Sequence, residues 1–190
     1  GELISFVSRP LGLRILIDST WNVGFYDYQK NMSFVTIVPP AIRNKAGRDI
    51  TYTIAIIMKV AKEGDDLQSF IETFVSKYPD KKSFEFSSKY PDMISYEIRD
   101  KNMYTEIGGS HMHIIGINRT KPKYAGYLLE EPVELPNNKS EGLTYYQAGQ
   151  SKDRFDGVIF YAIMLDTCED IYDQALIVFK TLFDLQINIE

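Results

Sequence analysis

Residues 50–79 read ITYTIAIIMKVAKEGDDLQSFIETFVSKYP, and two different periods meet inside them. In the first half Ile50, Tyr52, Ile54, Ile56, Met58 and Val60 alternate with Thr51, Thr53, Ala55, Ile57 and Lys59. A period of two puts one set on each face of a pleated chain, so the stretch predicts a long central strand with one heavily buried face. In the second half Leu67, Phe70, Ile71, Phe74, Val75 and Tyr78 recur at three and four, a stripe that a helix gathers on one side. Asp65 or Asp66 stands where a carboxylate accepts the first free N–H groups, and Pro79 ends the run.

The same two signals recur at the other end of the chain. Val158 to Leu165 is apolar at every position, the mark of a strand covered on both faces, and it leads straight into a second helix from about Glu169 to Asp184. Thr167 and Asp170 have the spacing of a capping box, and Glu169 and Asp170 put negative charge where the helix dipole is positive. Ile171, Tyr172, Ala175, Leu176, Val178, Phe179, Leu182 and Phe183 form a wide apolar face suited to lying on a sheet.

Between and before these lie shorter strand candidates: Leu13 to Ile17, Trp21 to Tyr26, Phe34 to Val38, Met93 to Ile98, Met103 to Ile107, His111 to Ile117, Tyr124 to Leu129 and Leu143 to Gln147. Arg99-Asp100-Lys101-Asn102 joins the fourth and fifth as an expected hairpin. The stretches Pro39 to Arg48 and Glu131 to Gly142 read as loops. Strands, helix, strands, helix, without regular βαβ alternation or a fixed repeat, is the order of an α+β protein, read here as one domain over residues 1–190. The expected architecture is an antiparallel sheet flanked by two amphipathic helices.

Composition narrows the function classes. A chain of 190 residues with 44% hydrophobic and 25% charged residues removes roughly 70% of its unfolded surface from water and needs no metal or disulfide to fold. A net charge of −5 argues against a generic grip on phosphate backbones, so no nucleic-acid partner is expected. The basic runs Lys77 to Lys82 and Arg119 to Lys123 are interrupted by Pro and read as solvated loop. With Cys168 as the only cysteine, an internal disulfide, CxxC chemistry and a thiolate zinc site are excluded. No stretch reaches the roughly 20 apolar residues of a transmembrane helix.

The order of elements resembles the Mog1/PsbP-like α-β-α sandwich family. Leu11-Gly12-Leu13-Arg14-Ile15-Leu16-Ile17 leading into Trp21 carries the resemblance at the start, and Gly157-Val158-Ile159-Phe160 through Phe179-Lys180-Thr181-Leu182-Phe183 carries it at the end. Asp18, Ser19 and Thr20 stand where the family's opening has a Pro-containing turn. The resemblance implies a non-enzymatic scaffold. Its relatives range from thylakoid-lumen proteins to a Ran-binding protein and bacterial envelope proteins. The expected location is the bacterial cell envelope, where a lipid-modified cysteine could precede Gly1.

Candidate site residues are few. There is no P-loop, GxGxxG, HExxH or GxSxG motif. In Gly108-Gly109-Ser110-His111-Met112-His113, the two histidines fall on one face of an extended chain, about 7 Å apart, where their imidazoles could meet one divalent ion. Glu106 is the nearest third ligand; the competing reading is two half-buried histidines beside a Gly-rich turn. Cys168 at a helix start is either a nucleophile or, lacking a local His, a buried inert thiol. Glu130, Glu131 and Glu134 near Tyr127 form an acid pair, bind a cation or solvate a loop, and Asp153, Arg154 and Asp156 read as a salt-bridged turn. Tyr124, Tyr127, Tyr145 and Tyr146 either line a groove for a peptide or carbohydrate or pack on the sheet. The expected function is a non-catalytic binding or accessory domain whose partner is a protein or a small ligand, with no cofactor. Metal binding at His111 and His113 is the first alternative, and a Tyr-rich protein-interaction surface the second.

Overall fold

A computed structural model describes residues 2–8, 13–29, 32–121, 132–133, 145–146 and 157–189. Its strands and helices, in chain order, are β1 (Leu3–Ser8), β2 (Leu13–Asp18), β3 (Asn22–Gln29), β4 (Met32–Val38), β5 (Ile42–Arg43), β6 (Asp49–Ile50), β7 (Thr53–Val60), α1 (Leu67–Val75), β8 (Asp80–Ser83), β9 (Ile94–Asp100), β10 (Ser110–Lys121), β11 (Pro132–Val133), β12 (Tyr145–Tyr146), β13 (Gly157–Cys168), α2 (Tyr172–Thr181) and β14 (Ile187–Ile189). The fold is α+β. A seven-stranded sheet runs β3-β4-β7-β13-β10-β9-β8, and its neighbours pair antiparallel throughout. A three-stranded sheet, β1-β2-β14, is antiparallel as well.

The all-apolar segment becomes β13, held between β7 and β10 near the middle of the large sheet. Its alternate residues feed two separate cores, which is why apolar side chains are needed at every position. Ile159, Tyr161, Ile163 and Leu165 join the larger core with α2 and the small sheet. Phe160 and Ala162 join the core under α1. The two helices therefore cover opposite faces of the seven-stranded sheet.

Helix α1 starts as its sequence predicts: Asp66 is the N-cap, and its carboxylate accepts from the Ser69 N–H at 2.7 Å. Leu67, Phe70, Ile71 and Val75 are its buried stripe. The helix sits so low on the sheet that Gly116 of β10 has no room for a side chain: a Cβ there would stand 2.6 Å from Ile71 Cγ1. Gly116→Ala is expected to lift α1 and destabilise by about 1–3 kcal/mol, read as a lower urea midpoint at unchanged slope. In a double-mutant cycle Ile71→Ala, which removes both Cγ1 and Cδ1, should lower the cost of Gly116→Ala, and an undiminished cost would mean the clash is not the cause.

Several expectations need correction. Met103 to Ile107 is not a strand, because the connection after β9 closes later than the Arg99–Asn102 turn would allow. Tyr104 turns left-handed (φ 57°), Thr105–Ile107 forms a single 3₁₀ turn, and Gly108 and Gly109 follow with positive φ. Gly109 must be glycine on two counts, since a Cβ would also meet Asp100 O at 3.0 Å. The hairpin partner of β9 is consequently β10, with Ser110 opposite Asp100.

The capping box at the second helix does not form either. The chain enters through a 3₁₀ turn, Glu169–Ile171, whose cap residue Cys168 makes no side-chain capping bond. The long strand expected from Ile50 is also interrupted, Ile50 pairing with Ile42 in a short hairpin, yet Ile50, Tyr52, Ile54, Ile56 and Met58 still point into one core.

The second helix ends in a π-helical turn, Leu182–Gln186. Lys89 holds this end, its Nζ donating to Phe183 O at 2.6 Å and Ile187 O at 2.5 Å, and Gln186 Nε2 donates to Leu16 O at 2.8 Å. Side chains thus take up carbonyls that a helix terminus leaves free.

Candidate functional site

His111 and His113 lie on the β10 face that meets α2, as the two-residue spacing predicts. Antiparallel register puts Arg99 opposite His111 and Glu97 opposite His113, so β9 presents Ser95, Glu97 and Arg99 to the same face. From above, the helical segment brings Glu169 and Tyr172 down onto the pair. Both histidines are enclosed, His111 being 1% and His113 0% exposed.

Their partners differ in kind. His111 Nε2 is 2.7 Å from Glu97 Oε1, and its Nδ1 is 3.1 Å from Glu169 Oε2. Ionised carboxylates only accept, so a ring that donates from both nitrogens is the form that satisfies both contacts. Tyr172 stacks on it with ring centroids 3.2 Å apart and planes within 8°. Arg99 spans the two carboxylates, 3.4 Å from Glu97 and 3.5 Å from Glu169, and Lys82 reaches Glu97 at 3.4 Å. Burial pushes the Glu97 carboxyl up, but the His111 hydrogen bond and the charges of His111 and Lys82 outweigh it and hold the group below its ordinary value.

His113 has hydroxyls instead: Ser95 Oγ at 2.8 Å from Nε2 and Tyr172 OH at 3.3 Å from Nδ1. A hydroxyl donates or accepts, so a neutral ring is fully satisfied in either tautomer. Phe84 and Phe86 close over it edge-on at 4.8 and 5.0 Å. Burial lowers this imidazole to about 4, with Glu97 opposing and the His111 charge adding to the fall. The Tyr172 phenol is itself pushed up by burial.

The other sequence candidates scatter. Glu106, weighed as a third ligand, is exposed and lies 3.8 Å from Arg48 rather than beside the histidines. Among the described residues no group of three or more His, Cys, Asp and Glu is placed to hold a metal ion. Cys168 is 2% exposed, and burial pushes its thiol up against the opposing pull of the Ile171 and Asp170 amides. Tyr145 and Tyr146 form β12, paired with Val133 and Pro132 of β11. Tyr124, Tyr127, Glu130, Glu131, Glu134, Asp153, Arg154 and Asp156 lie outside the described residues.

One feature was not legible in the sequence. At the rim of the large sheet, a hollow of about 340 Å³ opens among Ile50, Tyr52, Tyr104, Ile107, Asp166 and Thr167. These residues come from three distant stretches, and the sole local sign is that Asp166-Thr167-Cys168 ends an apolar run. The Thr167 hydroxyl is buried and has no hydrogen-bond partner among the described residues. Asp166 stays open to solvent while the protein around it desolvates the carboxyl and raises it. Both hold for a group that lines a concave wall. Burial pushes the Tyr52 phenol up to about 12.

A second hollow, about 360 Å³, lies before α1 among Ala61, Asp65, Leu67, Asn118 and Phe160. Its carboxylate is already engaged, Asp65 accepting from the Lys62 N–H at 2.8 Å and facing Lys59 Nζ at 3.6 Å. No helix among the described residues is long and apolar enough to cross a membrane. Comparison of the chain with protein families, curated proteins and solved structures gave no match.

Proposed function

We propose that this chain is a non-catalytic binding or accessory domain that holds a protein or a small ligand at the rim of its sheet. The observation supporting this is a division of labour. The described histidines are enclosed and bonded to fixed protein partners, whereas the open hollow at the rim holds an acid, hydroxyls and apolar walls without a base beside a nucleophile. Placement in the bacterial cell envelope and membership of the Mog1/PsbP-like sandwich belong to the same reading, and both derive from the resemblance in element order along the sequence.

Assay of the purified chain against ester, phosphate and glycoside substrates is expected to give no turnover above a heat-treated control. Turnover that disappears in His111→Ala or Glu130→Gln would overturn the proposal.

Metal binding at His111 and His113 is the second reading. What favours it is that both imidazoles lie on one face of β10, although a metal would have to displace the protons His111 shares with Glu97 and Glu169. Zinc titration followed by metal analysis decides it: uptake lost in the His111→Ala, His113→Ala double variant supports a metal role, and no uptake by the native chain ends it.

A further inference from the structure

We infer that the rim hollow between β6, β7, the turn after β9 and the end of β13 binds a small uncharged molecule with a carbonyl group on an apolar body, its polar end accepting from the Tyr52 and Thr167 hydroxyls. The inference rests on the binding-domain reading above and gives that reading a ligand class.

Strand geometry puts both hydroxyl residues on one wall. β7 and β13 pair Ile54 with Leu165 and Thr53 with Asp166, and the next residues along, Tyr52 and Thr167, both line the hollow. Thr167 shares the face of Leu165, two positions earlier, and stands opposite His111 of β10. Tyr52, Ile50, Ile54 and Leu165 belong to the larger core, and Ile107 packs against it. The same alternation turns the Asp166 side chain to the opposite face of the sheet.

Both residues are enclosed, and neither hydroxyl is bonded. Thr167 is 4% and Tyr52 3% exposed. The Thr167 oxygen has no partner among the described residues, and burial alone acts on the Tyr52 phenol, with no hydrogen bond contributing. Unbonded hydroxyls in an enclosed wall are costly, and a ligand atom that pairs with them removes the cost. A hydroxyl can donate and a carbonyl oxygen accepts through two lone pairs, so an acceptor is the complement.

Charge argues for a neutral ligand. Of the charged residues around the hollow, Arg48 faces Glu106 at 3.8 Å, Asp49 binds Arg43 at 3.0 Å, and Asp166 is turned away. An ammonium or carboxylate group entering here would shed water and meet hydroxyls in place of a counter-ion. The rest of the wall is apolar, through Ile50 and Ile107, and the exposed Tyr104 offers a ring at the mouth. A volume of about 340 Å³ lies at the small end of ligand sites, roughly 300–1,000 Å³.

4-Phenylbutan-2-one, phenethylamine and 3-phenylpropionate share a ring and a short tail but differ at the polar end, so titrating the whole chain with each, by calorimetry and amide chemical shifts, isolates the carbonyl. The ketone is expected to bind saturably, with the amine and the acid weaker by roughly tenfold or more. Tyr52→Phe and Thr167→Val each delete one oxygen at nearly constant shape, and each should weaken the ketone roughly five- to tenfold. Neither should lower the thermal midpoint of the free protein, because what it removes is a hydroxyl without a partner. Equal binding of the ketone and a charged probe, full ketone affinity in either variant, or no response to the ketone at millimolar concentration would each overturn the inference. A fall in the midpoint of either free variant would overturn it as well, by showing that the hydroxyl is bonded within the protein. Tighter binding of the amine or the acid, with shifts confined to the hollow, would discard the carbonyl class and leave the binding-domain reading intact. That reading fails separately, through turnover in the substrate assays.

Discussion

Replacing His111 with leucine is expected to cost about 3–5 kcal/mol of folding stability, the largest effect of any single substitution at the candidate site. His111 supplies the hydrogen bond and the positive charge that let Glu97 stay ionised at 8% exposure. Removing the ring leaves that carboxylate enclosed with only Arg99 and Lys82 near it, both at 3.4 Å and both longer contacts than the 2.7 Å bond lost. Glu169 loses its inward partner in the same step, and Tyr172 loses the ring it stacks on, so α2 is loosened from β10. Urea denaturation measures the loss. His111→Leu combined with Glu97→Leu should recover most of it, because an apolar pair of similar volume leaves no orphaned charge. A single-variant loss below about 1 kcal/mol would show that the cluster is not what docks the helix.

Acid should weaken the protein well before ordinary carboxylates titrate, and His113 sets the window. Its imidazole falls from 6.5 to about 4 on folding, so the unfolded chain binds a proton over that interval and the native chain does not. Stability is therefore complete above pH 6.5 and is lost progressively as the pH falls to 4, by roughly 3 kcal/mol in all. The groups facing the ring are the Ser95 and Tyr172 hydroxyls and the Phe84, Phe86 and Phe179 rings, with Glu97 and His111 as the nearby charges.

Glu97 acts in a lower window: its carboxyl is held below 4.5, so its contribution is present above that value and fades as the pH falls through it. Asp166, raised on folding, has the opposite sign and loses its small contribution as the pH climbs. Urea midpoints measured across pH 4–7 for the native chain and for His113→Asn test this. The variant's curve should be flat where the native one slopes, and parallel slopes would show that His113 does not carry the dependence.

Much of the frame was legible because periodicity reports burial directly. The stripe Leu67 to Val75 and the unbroken apolar run Val158 to Leu165 each state how many faces are covered, and the structure covers them so. The turn from Met103 to Gly109 was not legible, since strand and 3₁₀ turn share the residues Met-Tyr-Thr-Glu-Ile and only the pairing of Ser110 with Asp100 chooses between them. For the histidines, spacing indicated a shared face and nothing more. Their contrasting surroundings depend on Glu97, Glu169, Ser95 and Tyr172, which lie between 14 and 59 positions away.

By itself, then, the amino-acid sequence determined the α+β class, two apolar-faced helices, a central strand buried on both sides and the common orientation of His111 and His113. These follow from repeats of two and 3.6 residues, which are properties of a local chain. Only the tertiary structure decided that one histidine lies between two carboxylates and the other between two hydroxyls, and that Asp166 and Thr167 border a hollow at the sheet rim. Charge state and concavity depend on which distant groups are brought within a few ångströms, and local periodicity carries no record of that.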